Sequence, residues 1–112
     1  MTLEEFKALC EKRLAECTNL MYGEKHLEYA RYGDKLHNFK EAAAMKGESP
    51  EKALWGMWVK HIVSIKDTIQ DIEESRALSS ERVLCAKIND MINYTLLLEG
   101  LIRERQKQNE GS

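Results

Sequence analysis

Residues that interrupt helices are scarce in this sequence. The 112 residues include a single proline, Pro50, and six glycines. Aromatic residues make up 7% of the chain, and no segment has the alternating β-branched pattern that is typical of strands. Because proline and glycine are the residues least favourable inside helices, their scarcity permits long helices over most of the chain. We therefore expect an all-α fold.

Long apolar runs and blocks of like charge are also missing. No apolar run approaches the roughly 20 residues that span a bilayer. The first sixteen residues are too highly charged for a secretory signal. Acidic and basic residues are interleaved and the net charge is −2, so a basic surface for duplex nucleic acid is not expected. We expect a cytoplasmic protein that has neither a membrane nor duplex nucleic acid as a partner.

The cysteines lack the spacing of a disulfide framework or a metal site. The three of them, Cys10, Cys17 and Cys85, form no CxxC pair. On a helix, Cys10 and Cys17 would lie about 10 Å apart along the axis, too far for a disulfide. We expect three reduced, partly buried thiols.

Capping signals begin the division of the chain into helices. Thr2 and Glu5 form a T-x-x-E capping box, which predicts a first helix that runs to about Tyr22. A second, short helix is predicted over 35–46. Gly47 follows it, and glycine is the residue that most often ends a helix.

Two longer helices are predicted in the second half of the chain. The Ser-Pro-Glu sequence at 49–51 combines an N-cap, a proline suited to the first helical position and an acidic first turn. It predicts a third helix to about Arg76. The serines at 79–80 supply a cap for a fourth helix, predicted over 81–106.

Apolar residues recur at helical spacing in these segments and predict the faces that pack together. The predicted faces are Leu3, Phe6, Cys10, Leu14, Cys17 and Met21; Phe39, Ala42, Ala43 and Met45; Trp55, Trp58, Ile62, Ile65, Ile69 and Ile72; and Leu84, Ile88, Met91, Thr95, Leu98 and Ile102. A short turn joins the two longest helices, so we expect them to pack antiparallel in a single domain over 1–106, followed by a disordered tail over 107–112. The remaining segments are too short to cover both helices, which predicts a homodimer or higher oligomer that completes the bundle.

A polar row lies beside the apolar face of the third helix. It consists of Lys60, His61, Ser64, Asp67 and Asp71, and the residues at 60, 64, 67 and 71 share a helix face. A lysine with carboxylates at this spacing can hold a phosphate together with a divalent cation. The alternative is a solvated face with surface ion pairs. His61 is expected to be a structural hydrogen-bonding residue, since no second His or Cys lies at ligand spacing.

A second polar group interrupts the apolar fourth helix. Its members are Lys87, Asp90, Asn93 and Tyr94. Asp90 lies among apolar residues and therefore needs a partner. Lys87, three residues earlier, is one predicted partner. The alternative is that Asp90 faces Lys60 or Asp67 across the helical hairpin.

The third group precedes the second helix. It consists of Tyr32, Gly33, Asp34, Asn38 and Phe39. One interpretation is a turn followed by a single core aromatic. The other is a loop that approaches a ligand, in which Asn38 binds a base edge and an aromatic ring stacks on the base.

The order of these motifs resembles a known family. The motifs are Tyr-Gly-Asp…Asn-Phe at 32–39, Trp-Gly-Met…Lys-His…Ser…Asp at 55–67, and Lys-Ile-Asn-Asp-Met-Ile-Asn-Tyr at 87–94. Together they resemble small phage proteins of the nucleotide-modification-associated, MazG-like helical group, over roughly residues 32–101. The resemblance implies an all-α fold, self-assembly and nucleotide binding between helices. Active members of that group hold Mg²⁺ with carboxylates and hydrolyse the α–β phosphate linkage.

The resemblance also identifies a departure from the active members. Asp90 matches the Asp of the group's Glu-Glu-x-x-Asp helix, but Ala86 and Lys87 occupy the two positions where active relatives are acidic. Removing two carboxylates opposes the binding of divalent ions. The sequence therefore favours a protein that holds a nucleotide without cleaving it.

Three functions follow from these observations. The first is a phage-type protein that sequesters or senses a phosphorylated nucleotide, such as a host immune signalling nucleotide, with no cofactor. Its predicted ligand-binding residues are Tyr32, Asn38, Lys60, His61, Ser64, Asp67, Lys87, Asp90 and Tyr94. The second is a Mg²⁺-dependent nucleotide pyrophosphatase that uses Asp67, Asp71 and Asp90 as metal ligands. The third is a non-catalytic interaction module or inhibitor, with Trp55 and Trp58 as interface anchors.

Overall fold

A computed structural model of the protein describes residues 1–22 and 33–110. These residues form four α-helices: α1 (Leu3–Tyr22), α2 (His37–Lys46), α3 (Pro50–Glu73) and α4 (Glu81–Glu110). The described residues contain no strand. The predicted all-α fold is therefore confirmed.

Hydroxyl side chains begin three of these helices. The Glu5 amide donates to Thr2 Oγ1 at 3.1 Å, and the Thr2 amide donates back to Glu5 Oε2 at 3.4 Å, which confirms the capping box. Ser49 Oγ accepts from the amide three residues later at 3.1 Å. Ser80 Oγ does the same at the start of α4, at 3.3 Å. Each contact satisfies an amide that has no partner within its own helix.

Left-handed residues end α2 and α3. Gly47 has a φ of 66° and ends α2 as predicted. At the end of α3 the residue in this conformation is Ser75, with a φ of 56°. The chain turns there, and the Arg76 amide donates to the Asp71 carbonyl at 2.8 Å. For this reason α3 ends at Glu73, earlier than the predicted Arg76.

The apolar core lies where α2, α3 and α4 meet. Its buried members are Leu36 and Phe39 from the start of α2, Leu54 from α3 and Leu101 from α4. Half-buried side chains of Met57, Tyr94, Leu97 and Leu98 pack around them. Burial of this apolar surface is the main favourable contribution to folding in this part of the molecule.

The helices α3 and α4 pack antiparallel, as predicted. At one end, Arg105 makes a bidentate ion pair with Glu51, with both N–O distances at 2.7 Å. At the other end, Lys87 Nζ donates to Thr68 Oγ1 at 2.6 Å. The N-terminal end of α3 thus contacts the C-terminal end of α4, and the C-terminal end of α3 contacts the N-terminal end of α4.

The predicted apolar faces were wrong in part. On α3, Trp55, Ile69 and Ile72 are 53%, 56% and 54% exposed, whereas Leu54 is completely buried. On α2, Met45 is 86% exposed. The face of α3 that contacts α4 contains Ser64 and Thr68, which accept hydrogen bonds from Lys87. The prediction chose the face of α3 with the most apolar residues. It missed the face that contacts α4, because hydrophobic spacing gives no information about polar contacts between helices.

The predicted apolar faces of α1 and α4 were also wrong in part. The predicted residues that are exposed are Leu3, Phe6 and Leu14 of α1 and Leu84, Thr95 and Ile102 of α4. The buried residues are Cys17 of α1 and Asn89 and Leu101 of α4. The α4 helix also continues to Glu110, beyond the predicted end near 106. In the described ranges, no helix is both long and apolar enough to cross a membrane.

Candidate functional site

A cavity of about 590 Å³ lies between α2 and α4, beside the core. One wall is a face of α4, formed by Asp90, Asn93, Tyr94 and Leu97. The opposite wall is a face of α2, formed by Asn38, Glu41, Ala42 and Met45, with Phe39 beside them. Both sets follow the spacing i, i+3, i+4, i+7, which places side chains on one side of a helix. Lys35, Met21 and Met57 complete the lining.

The side-chain oxygen of Asn93 is a hydrogen-bond acceptor that receives no hydrogen bond from the described residues. Its Oδ1 is buried, and it finds no hydrogen-bond partner among the residues that the structure describes. Leaving a buried polar group unpaired destabilises a fold by about 1–3 kcal/mol. Asn93 is also one of the lining residues, and an amide in a cavity lining is suited to form a hydrogen bond with a bound molecule.

Tyr94 is held in place by aromatic contacts. Its ring stacks on Trp58 of α3, with centroids 6.3 Å apart and planes 12° apart. The His61 ring lies 5.0 Å from it at a tilt of 37°. Burial raises the pKa of the Tyr94 hydroxyl, and the negative charge of Asp90 adds to this effect. The phenol therefore stays protonated and can donate a hydrogen bond.

Asp90 pairs with His61 and not with the partners that the sequence indicated. His61 Nδ1 lies 3.3 Å from Asp90 Oδ2. Lys87 instead donates to Thr68 Oγ1 and to the Ser64 carbonyl, at 2.6 and 3.2 Å. The predicted pairing of Asp90 with Lys87 was wrong because Lys87 reaches across to α3. Asp90 does face α3, as the alternative had it, but its partner there is His61, whereas Lys60 and Asp67 are exposed.

Lys35 introduces a positive charge into the cavity wall. Burial lowers the pKa of its ammonium group. The described part of the chain gives it no ion-pair partner, whereas the neighbouring Lys40 pairs with Asp34 and Glu104. An anionic ligand would supply the missing countercharge.

The structure brings together only some of the predicted ligand-binding residues. Asn38, Asp90 and Tyr94 line the cavity, and His61 adjoins it through Asp90 and Tyr94. Lys60 and Asp67 are exposed on α3 and do not line it. Ser64 and Lys87 join α3 to α4. Tyr32 lies outside the described residues.

The acidic residues proposed as magnesium ligands are not grouped. Asp71 lies 3.5 Å from Arg76, Asp90 pairs with His61, and Asp67 is exposed. Across 1–22 and 33–110, no three His, Cys, Asp or Glu side chains lie together in a metal-binding arrangement. The magnesium site at these three carboxylates therefore stays a prediction.

The sequence did not identify Lys35, Glu41 or Met57 as lining residues. The α4 wall could have been predicted from the sequence, because Asp90, Asn93, Tyr94 and Leu97 have the spacing of residues on one helix face. The opposite wall was not, since nothing in the spacing of α2 indicates which helix it faces. Phe39 proved to be the core aromatic, as the first of the two interpretations of that segment had it.

Comparisons with known proteins do not assign this chain to a family. No family model, no curated protein and no solved structure matches it. The resemblance to MazG-like phage proteins therefore stays a prediction, and the functional argument depends on the geometry of the cavity.

Proposed function

We propose that the protein binds a nucleotide, or a closely related phosphorylated small molecule, in the cavity between α2 and α4, and does not hydrolyse it. The observation that carries this proposal is the buried Oδ1 of Asn93, which has no hydrogen-bond partner among the described residues, next to the Tyr94 ring that stacks on Trp58. The cavity volume of about 590 Å³ falls in the usual range for small-molecule sites, roughly 300–1,000 Å³.

The groups around the cavity match the parts of a nucleotide. A base offers a flat π-surface and polar edge atoms, which suit Tyr94 and the amides of Asn38 and Asn93. The carboxylate of Asp90 is an acceptor for base N–H groups and repels phosphate. Lys35 is the cation in the wall and is the group placed to attract the phosphate.

The absence of hydrolysis is inferred from two features. Ala86 and Lys87 occupy positions that are acidic in the active proteins that the sequence resembles. Asp67, Asp71 and Asp90 have separate surroundings in the described structure. The phage resemblance extends the proposal to sequestration of a host signalling nucleotide, in keeping with a cytoplasmic site of action.

Calorimetry with a panel of linear and cyclic nucleotides tests binding, with and without Mg²⁺. Asn93→Leu removes the acceptor and keeps a similar side-chain volume. We expect it to weaken binding about 5–150-fold, the factor for roughly 1–3 kcal/mol, without a loss of thermal stability, since it also removes an unpaired buried group.

Lys60→Ala and Asp67→Ala are the matched controls, because both residues were sequence-based candidates that lie outside the cavity. Their affinities should equal that of the original protein. The proposal fails if no nucleotide binds, or if these controls abolish binding while Asn93→Leu has no effect. Mg²⁺-dependent release of pyrophosphate from a bound triphosphate would contradict the non-hydrolytic part of the proposal and support a pyrophosphatase.

The exposed apolar surface favours a second property, self-association. On α1, large apolar side chains are exposed at Leu3, Phe6, Leu9, Leu14 and Leu20, and on α3 at Trp55, Val59, Val63, Ile69 and Ile72. Large apolar side chains exposed in such numbers are typical of protein interfaces. Light scattering after size exclusion tests a homo-oligomer, and Ile69→Glu should reduce its mass. A monodisperse monomer would leave another protein as the partner of this surface.

A further inference from the structure

The cavity between α2 and α4 presents two carboxylates and one ammonium group. Asp90 lies on the α4 wall, Glu41 lies on the α2 wall, and Lys35 is the cation. An ionised carboxylate accepts hydrogen bonds and donates none. A molecule bound in this cavity must therefore turn hydrogen-bond donors, and not lone pairs, toward the two carboxylates.

Asp90 is the better positioned of the two carboxylates. Its Oδ2 lies 3.3 Å from His61 Nδ1, and the part of the chain that the structure describes offers Oδ1 no hydrogen bond. The Asp90 side chain is 44% exposed, so a ligand can reach it. Glu41 is more exposed, and no ion pair with a described residue fixes its orientation. Asp90 is therefore the carboxylate whose position can distinguish one ligand from another.

Tyr94 places a base within reach of Asp90. The two residues are four apart on α4, the spacing at which side chains are neighbours on one helix face. The contacts of the Tyr94 ring with Trp58 and His61 come from α3, whereas the cavity lies on the side of α2. A base that lies against this ring has one edge close to the Asp90 carboxylate.

Given the nucleotide-binding function proposed for this cavity, on which this step rests, we propose that Asp90 selects guanine and that the ligand is a guanine nucleotide. Guanine carries two neighbouring donors on one edge, N1–H and the 2-amino group, and these match the two oxygens of a carboxylate. Adenine has the acceptor N1 beside its 6-amino group, and cytosine has N3 beside its 4-amino group. Uracil has a carbonyl on each side of its N3–H. These three bases direct a lone pair at the carboxylate, which is unfavourable.

Calorimetry with matched guanine and adenine nucleotides tests the selection while the phosphate group stays the same. The pairs are the 5′-monophosphates, the 5′-triphosphates and the 3′,5′-cyclic monophosphates. We expect the guanine member to bind about 5–150-fold more tightly, the factor for a base edge contacted through two hydrogen bonds. IMP, which keeps N1–H and lacks the 2-amino group, should bind between GMP and AMP.

The failure of base selection and the failure of the nucleotide site give different results. Adenine nucleotides that bind as tightly as guanine nucleotides, and that Asn93→Leu weakens, would overturn the selection of guanine and leave the nucleotide site in place. If no member of either series binds, the proposed nucleotide-binding function fails, and the selection fails with it.

Asp90→Asn tests the selecting residue. It keeps the shape of the side chain and an oxygen for His61, but it replaces one acceptor with an amide donor. We expect the ratio of GMP to AMP affinity to fall about tenfold or more, with the affinity for AMP not reduced. Asp67→Asn, outside the cavity, is the matched control and should preserve the ratio. An unchanged ratio in Asp90→Asn, or a larger fall in Glu41→Gln than in Asp90→Asn, would overturn the assignment to Asp90.

Discussion

The two sides of α4 are held by different kinds of contact. Toward α2 and α3, the buried part of the contact is an apolar core that includes Leu54, which is fully buried, and Leu101. Toward α1, the buried residues are Cys17 and Asn89, joined through a shared hydrogen-bond network with Arg13. Burial of apolar surface contributes stability without strict geometry, whereas hydrogen bonds fix a register and add little net stability. We therefore expect α1 to separate from the rest of the bundle at a lower free energy than global unfolding requires.

The largest effect is expected from Leu54→Ala. This substitution leaves a cavity in the apolar core and should lower the free energy of unfolding by about 2–5 kcal/mol. Trp55→Ala, at the adjacent but 53% exposed position, is the control and should change it by less than about 1 kcal/mol. Urea denaturation measures both. Equal losses would mean that α3 packs through its Trp face.

The next effect concerns the polar side of α4. Asn89→Leu removes the acceptor that Arg13 and Cys17 share, and should destabilise the docking of α1 by about 1–3 kcal/mol. Hydrogen exchange should speed up in α1 while α2–α4 stay protected. Asn19→Ala, at an exposed position on α1, serves as the control. Uniformly faster exchange in all helices would contradict the independence of the two contacts.

A matched pair of helix caps compares the two regions directly. Ser49→Ala removes the N-cap of α3, a core helix, and should lower global stability by about 1 kcal/mol. Thr2→Ala removes the equivalent cap of α1 and should mainly increase amide exchange in its first turn. Urea denaturation and amide hydrogen exchange, measured on the same samples, distinguish a global loss of stability from local fraying of α1. A global loss from Thr2→Ala as large as that from Ser49→Ala would show that α1 unfolds with the core.

The smallest effect concerns acid stability. The hydrogen bond from Lys40 holds the pKa of Asp34 below its ordinary value, and Arg105 does the same for Glu51. Carboxyl groups of this kind contribute stability above their unfolded pKa, about 4, and the contribution is lost as pH falls through the lower folded pKa. Asp34→Asn should therefore reduce stability at pH 7 by about 0.2–1 kcal/mol and flatten the decline below pH 4. Urea midpoints at pH 7 and pH 3 measure this, and Asp67→Asn should change neither.

Local features of the fold were predictable because their causes are local. The capping box at Thr2, the Ser49 cap and the end of α2 at Gly47 each depend on residues within one helical turn. The end of α3 was placed too late, since Ser75 gives no sequence signal for the left-handed conformation that it adopts. Of the residues that line the cavity, Asn38, Asp90 and Tyr94 are among the predicted ligand-binding residues, and Lys35 is not.

The sequence by itself determined the four helices, the starts of α1, α3 and α4, and the antiparallel order of α3 and α4, because spacing, caps and a short turn are local features of the chain. Only the tertiary structure decided which face of each helix is buried. It paired Asp90 with His61, joined two helices through Lys87, and placed Asn93 opposite α2 with an oxygen that has no hydrogen-bond partner in the described part of the chain. The physical reason is that a helix with several apolar or polar rows can turn any of them inward, and the choice is made by the helices packed against it.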